Sequence, residues 1–191
     1  MPAATPDRPA PRERLLAAAD ELFYAEGVQS VGIDRVIARA AVAKASLYRA
    51  FGSKDALVQG YLEGRSAGWR AFVEEELPRR FATPREQVVG VYALLGEWFA
   101  APGYHGCPFI NASAEAAPGC PVAEATATHR AWVRGLLAGL ADEAGARDPD
   151  AVATALVLLY DGAMVAAQLD GDPSVAEAAQ VAAGAVLDAA T

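Results

Sequence analysis

The sequence is poor in the residues that staple small folds or build metal and acid–base centres. Two cysteines, Cys107 and Cys120, and two histidines, His105 and His129, are all that its 191 residues supply. Two cysteines are too few for a disulfide scaffold and suit a reducing compartment. All four side chains fall within 25 residues, but not at the spacing of a zinc ribbon or finger, so no metal and no cofactor are expected. Also missing are a Gly-rich phosphate loop after a strand, H-E-x-x-H, G-x-S-x-G and any motif-placed pair of carboxylates. A histidine-based acid–base site would have to be built around His105 or His129, and an enzyme is not expected. No uncharged apolar run approaches the ~18 residues that span a bilayer. The first twenty residues carry Asp7, Arg8, Arg12, Glu13 and Arg14 without the apolar block of a signal peptide. The expected location is the cytoplasm, with no membrane partner.

What is present has the composition of a folded globular chain, with 53% apolar and 21% charged residues. The formal net charge of -8 points away from nucleic acid if taken alone. Its distribution says otherwise. Residues 1–60 hold eight Lys/Arg against seven Asp/Glu, whereas the remainder holds eight against seventeen. The acidity therefore belongs to the C-terminal part, and a near-neutral N-terminal unit is free to meet phosphate.

Apolar spacing predicts an all-α chain of about nine helices, with no convincing strand. Residues 1–10 read as a disordered tail, 11–57 as a small N-terminal unit and 58–191 as a larger helical one. The predicted helices run from Pro11 to Glu26, Ile33 to Ala40, Lys44 to Phe51, Lys54 to about Glu76, Pro84 to Ala101, Pro108 to about Ala116, Pro121 to about Ala144, Asp150 to Leu169 and Pro173 to Ala189. Ser53 and Thr83 are placed as N-caps, and Pro84, Pro108, Pro121 and Pro173 as first helical residues. Only Ala41, Val42 and Ala43 separate the second and third helices, the length of the turn in a helix-turn-helix. On a helical wheel Lys44, Ala45, Tyr48 and Arg49 share one face of the third helix, with Leu47 and Phe51 opposite. Such a helix anchors itself by Leu47 and Phe51 and offers basic and aromatic groups to phosphates and base edges.

The run from Gly32 to Leu57, with its Leu47-Tyr48-Arg49-x-Phe51-x-Ser53-Lys54-x-x-Leu57 core, strongly resembles the DNA-binding domain of the TetR family of regulators. The resemblance covers about Arg12 to Tyr61 at motif level. It implies a homodimer whose two third helices enter successive major grooves of a pseudo-palindromic double-stranded DNA operator. Carried over residue by residue, it puts Lys44, Ala45, Ser46, Tyr48 and Arg49 at the DNA surface and Lys54 near a phosphate at the fourth helix's N-terminus. Arg35, and Arg12 or Arg14, are further phosphate candidates, with ordinary solvated arginines as the alternative. Three departures stand out: Ala41 where the turn usually has Gly, Ala43 where a Ser commonly caps, and Ala50 in place of a common His. An Ala41 held left-handed costs ~1 kcal/mol, and a missing cap at Ala43 costs ~1 kcal/mol.

For the rest of the chain the resemblance implies a repressor released from its operator when a small-molecule effector, of unknown identity, enters a pocket among helices 4 to 8 and moves helix 4. The candidate pocket residues are Trp69, Phe72, Trp98, Phe99, Cys107, Phe109, Asn111, Trp132, Tyr160 and Met164, against the alternative that they are plain core. Glu115, Asp161 and Gln168 are further polar candidates. The last two helices are implied to pair with those of a second subunit through Ala155, Leu159, Gly162 and Ala166 and through Ala179, Ala182 and Val186. An internal Ala-rich core is the alternative. Finally, Gly-Cys-Pro occurs at 106–108 and again at 119–121, placing each Cys at a helix N-cap, where a thiol pKa can fall. This gives a second regulatory reading, a redox or electrophile sensor working through Cys107 and Cys120.

Overall fold

The start of the first helix shows how local chemistry sets the frame. Pro11 occupies a position whose N–H has no intrahelical partner, and the Glu13 carboxylate accepts the Ala10 N–H at 3.1 Å. Helix α1 (Pro11–Glu26) ends at Gly27, whose φ of 86° suits glycine. The computed structural model describes residues 9–116 and 121–191. Most of the expected tail and the whole of Cys120 lie outside the described residues.

Among the described residues the regular elements are nine helices and no strands. After α1 come α2 (Ile33–Ala40), α3 (Lys44–Ala50), α4 (Lys54–Arg80), α5 (Pro84–Phe99), α6 (Pro108–Glu115), α7 (Pro121–Glu143), α8 (Pro149–Asp170) and α9 (Val175–Asp188). The order and number agree with the sequence reading; several ends do not. Helix α4 runs past Glu76 through Pro78 to Arg80, because a proline in the last turn forfeits one N–H bond and leaves the rest of the ladder intact. Helix α9 begins at Val175 with Ser174 as N-cap, so Pro173 precedes the helix instead of opening it. Ser53 and Thr83 do cap α4 and α5, accepting the N–H groups of Ala56 and Glu86.

Helices α1, α2 and α3 pack on one another and α1 lies against α4, burying Leu15, Phe23, Val36, Ala40, Leu47, Leu57 and Tyr61. The larger unit is a bundle in which α4 contacts α5 and α7, α5 contacts α9, and α8 contacts both α7 and α9. Helix α8 is long and apolar enough to cross a membrane by length and composition, with a mean hydropathy of 1.6 over an 18-residue window. Its side chains Val152, Leu156, Tyr160 and Met164 are instead buried within the bundle. The α5–α9 contact is close: a Cβ on Gly96 would sit 2.8 Å from that of Ala176, so the small residues of α9 are used in part inside the protomer.

Candidate DNA-reading surface and ligand cavity

The turn between α2 and α3 is tight because Ala41 adopts a left-handed conformation, φ 50° and ψ 52°, and it is the one non-glycine residue at positive φ among the described residues. Ala43 caps α3 without any side-chain hydrogen bond. The turn is held instead by Arg14, whose guanidinium donates to the carbonyl oxygens of Ala40 and Ala41 at 3.1 and 3.0 Å. Arg14, read from sequence as a phosphate candidate, is committed to this structural task.

Helix α3 turns Leu47 fully into the core and half-buries Phe51, its C-cap residue. Lys44, Ala45, Tyr48 and Arg49 are exposed and Ser46 is half-buried. Tyr48 leaves 48% of its surface in solvent. Arg49 makes no ion pair among the described residues, whereas the other cations nearby are held. Lys44 donates to Asp34 at 3.0 Å, and this pairing holds its pKa above the usual lysine range. Arg35 makes two 2.8 Å hydrogen bonds to Glu26, which raise its own pKa and lower that of the carboxylate. Lys54 lies over the Phe23 ring at 5.9 Å and Arg12 over the Phe51 ring at 5.2 Å. Exposed pairs of this kind are weak, so Arg35 and Lys44 are available to a phosphate only by leaving their carboxylates.

The bundle holds an apolar cavity of about 490 Å³, well inside the range of small-molecule sites. Seven of the ten residues picked from sequence line it: Trp69, Phe72, Trp98, Cys107, Phe109, Tyr160 and Met164. Phe99 and Asn111 instead line a second, larger cleft of about 680 Å³ between the end of α1 and α6, and Trp132 lines neither, lying 5.3 Å beneath the Arg70 guanidinium. Sequence reasoning missed His129, which stacks flat on Phe109 with ring centroids 4.0 Å apart and shares a 3.0 Å hydrogen bond between Nδ1 and Ser66 Oγ. Burial, with the Arg70 and Arg130 guanidiniums adding to it, pushes its pKa down to about 4. It also missed Arg65 and Asp20 at the cavity mouth, joined by a 3.0 Å hydrogen bond from Nη2 to Oδ2. Glu115, Asp161 and Gln168 are used elsewhere: Glu115 accepts the Gln29 N–H, Asp161 pairs with Arg130, and Gln168 donates to Asn111.

Cys107 is the N-cap of α6, as its motif suggests, but its thiol makes no capping hydrogen bond. It is buried at 6% exposure, and burial raises its pKa despite the helix N-terminus. A buried, protonated thiol is the opposite of a reactive sensor cysteine, so the redox reading is not favoured by the cysteine the structure describes. No group of three or more His, Cys, Asp or Glu placed to hold a metal occurs among the described residues.

The stripes assigned to a subunit interface are only partly outward. On α8, Gly162 is exposed and Ala155, Leu159 and Ala166 are half-buried; on α9, Ala182 and Val186 are half-buried and Ala179 is buried inside the protomer. The large apolar side chains left in solvent are their neighbours, Leu158, Val165 and Leu169 on α8 and Val181 on α9. Of the named small residues Ala179 packs inside the protomer, whereas Gly162 has open space beside it.

Set against known proteins, this arrangement is a familiar one. A family model described as "Bacterial regulatory proteins, tetR family" matches residues 15–61. A TetR-family transcriptional regulator from Streptomyces coelicolor is 39% identical, with a TM-score of 0.86 over 94% of this chain and 95% of that one. The chain belongs to the TetR family of transcriptional regulators. A TetR-type regulator from Streptomyces avermitilis is 31% identical, with a TM-score of 0.84 over 95% of this chain and 98% of its own. The reduced form of Escherichia coli NemR shares the fold at 24% identity, with a TM-score of 0.81 over 92% of this chain and 97% of its own. No curated protein matches the sequence. As a TetR-family regulator the chain is a DNA-binding protein of transcription, and α1 to α3 form the part that the family model covers most directly.

Proposed function

We propose that this TetR-family regulator is a cytoplasmic homodimer that represses transcription from a pseudo-palindromic operator and releases it when a small molecule occupies the cavity between α4 and α8. The observation that carries this reading is the continuity of α4. Its first turn, with Lys54, adjoins the reading helix, and its middle, with Trp69 and Phe72, walls the cavity. Residues 11–57 act as the reading head and 58–191 as the sensing and dimerising body.

In this reading Arg49 and Tyr48 make the contacts that α3 brings to the major groove, Lys44 and Ser46 flank them, and Ala45 lets the helix approach closely. Lys54 and the N-terminus of α4 hold a phosphate. The exposed apolar side chains of α8 and α9 meet their counterparts across a two-fold axis, which sets the two α3 helices about 34–36 Å apart. A ligand that binds better to a splayed state than to this one moves the equilibrium toward release, and by no more than that difference in affinity.

The test is binding of the purified protein to DNA from its own upstream region, beside Tyr48→Ala and Arg49→Ala, at several salt concentrations. Tight, selective, salt-sensitive binding is expected. Loss of a base-edge contact at Arg49 costs about 1–3 kcal/mol, and loss of a phosphate contact lowers the salt slope by about one. Variants that bind as the wild type does would remove α3 as the reader.

A further inference from the structure

The cavity wall holds, just beneath its surface, one polar atom whose chemistry is incomplete. The Tyr160 hydroxyl is buried and makes no hydrogen bond among the described residues. The Trp69 indole N–H approaches it, yet an indole is a donor only, so the phenol's own proton has no acceptor. A buried donor left in that state is costly, and native folds keep few of them without a use. Burial also raises the phenol pKa well above its ordinary value, so the group stays a donor at any physiological pH.

The charges around the cavity are already spent. Asp20 and Arg65 neutralise each other, and Glu97 is held by Arg80. An anion would have to take Arg65 from Asp20, and a cation would have to take Glu97 from Arg80. Deeper in, His129 is uncharged near neutrality and Cys107 is protonated. The remaining walls are mostly aromatic, with Trp69 and Phe72 from α4, Trp98 from α5 and the stacked Phe109–His129 pair from α6 and α7, beside Pro108 and Met164. Flat rings approached from several helices favour a flat guest.

Resting on the reading of this cavity as the effector site, we propose that its ligand is an uncharged, planar aromatic molecule carrying a carbonyl-type oxygen, and that the Tyr160 hydroxyl donates a hydrogen bond to that oxygen. Trp69, half-buried and beside the hydroxyl, shifts to admit it. Tyr160 thereby selects among aromatic guests of the same shape.

The experiment titrates the full-length protein with three probes of one framework, read by quenching of tryptophan fluorescence: 9-fluorenone, fluorene, and 9-fluorenone-4-carboxylate. Wild type is compared with Tyr160→Phe. The substitution removes the oxygen that the Trp69 indole N–H approaches but no bond made by the phenol's own proton, so the variant is expected to fold and to melt close to the wild type. It should weaken 9-fluorenone about 10-fold, leave fluorene within about 2-fold, and the carboxylate should bind at least about 10-fold more weakly than the ketone to wild type. A ketone affinity indifferent to Tyr160→Phe, a carboxylate that binds as tightly as the ketone, or no binding by either neutral probe would overturn the proposal. Affinity for upstream DNA is followed in the same titrations. Tyr160-dependent ketone binding that leaves DNA affinity unchanged would sink the ligand-release mechanism and keep the ligand class. DNA release by the carboxylate, unaffected by Tyr160→Phe, would do the reverse.

Discussion

Acid should unfold this protein partly through one side chain. His129 is buried between Phe109 and Ser66, and its pKa is pushed from an ordinary 6.5 down to about 4 by burial first and by Arg70 and Arg130 second. In the unfolded chain the same imidazole takes up a proton as pH falls through about 6.5. Between these two values the unfolded state binds more protons than the folded one, so stability rises with pH across that window and is complete above it. The full effect is worth about 3 kcal/mol, of which about 2 kcal/mol is already lost at pH 5. Against total stabilities of about 5–15 kcal/mol this is a large fraction. The assay is urea unfolding at pH 7.5, 6.5, 5.5 and 5, wild type beside His129→Asn, whose amide can still meet Ser66 Oγ. Carboxylates titrate alike in both proteins, so the difference between them isolates His129. The wild type should lose about 2 kcal/mol relative to the variant between pH 7.5 and pH 5. A difference that stays constant with pH would mean that the imidazole is solvated or charge-compensated in the folded protein, and the account of the cavity's neutral wall would go with it.

Three further outcomes follow from the geometry. Ala41→Gly should stabilise by about 0.5–1 kcal/mol, the relief of left-handed strain less the added freedom of the unfolded chain; thermal melting checks it, and a lower Tm would contradict the strained turn. Leu158→Asp, at a side chain 69% exposed within the protomer, should leave the secondary structure intact while shifting sedimentation from dimer to monomer and weakening operator binding; an unchanged dimer would place the interface elsewhere. Tyr24→Phe combined with Glu115→Ala removes contacts between α1 and the α6 region. It should leave the affinity of a cavity ligand unchanged but reduce that ligand's effect on DNA binding by about 0.5–2 kcal/mol, measured as the ratio of DNA affinities with and without ligand.

The features legible in the sequence were those set by neighbours along the chain. The three-residue turn, the cap at Ser53, the anchor at Leu47 and the strain at Ala41 all depend on local backbone chemistry; the first three are found where the spacing puts them, and the fourth where the family resemblance pointed. Helix α4 was placed but cut short at Glu76, because proline is read as a stop and its cost in a last turn is small. What escaped was set across the bundle. His129 gives no sequence signal of its own, since its role comes from Ser66, 63 positions away, and from a ring on a different helix. The aromatic set could be named as a group, but Trp132 and Phe99 carry the same apolar signature as Trp69 and Trp98 and point elsewhere. For the same reason the Ala stripe of α8 and α9 could not tell the inward face from the outward one.

The arrangement of α6 bears on how a signal leaves the cavity. The resemblance to the family directs attention to α4, yet the chain before α6 touches both ends of the problem. Cys107, Pro108 and Phe109 line the cavity, while the residues just before them grip the reading head: the Tyr24 hydroxyl donates to the Gly106 carbonyl and accepts from the His105 N–H, both at 3.1 Å. Gly106 is required there, since its φ is 82° and a Cβ would meet the Gln168 amide at 2.0 Å. At the far end of α6, Glu115 accepts the Gln29 N–H at 2.7 Å, immediately beyond α1. Arg65 of α4 stacks on the same Tyr24 ring at 3.9 Å and is paired with Asp20 of α1. Tyr24 is thus held by α4 through its face and by the α6 segment through its hydroxyl. If the cavity is the effector site, as we propose, a guest that displaces Phe109 has two bonded routes to α1, through both ends of α6 and through Arg65 of α4.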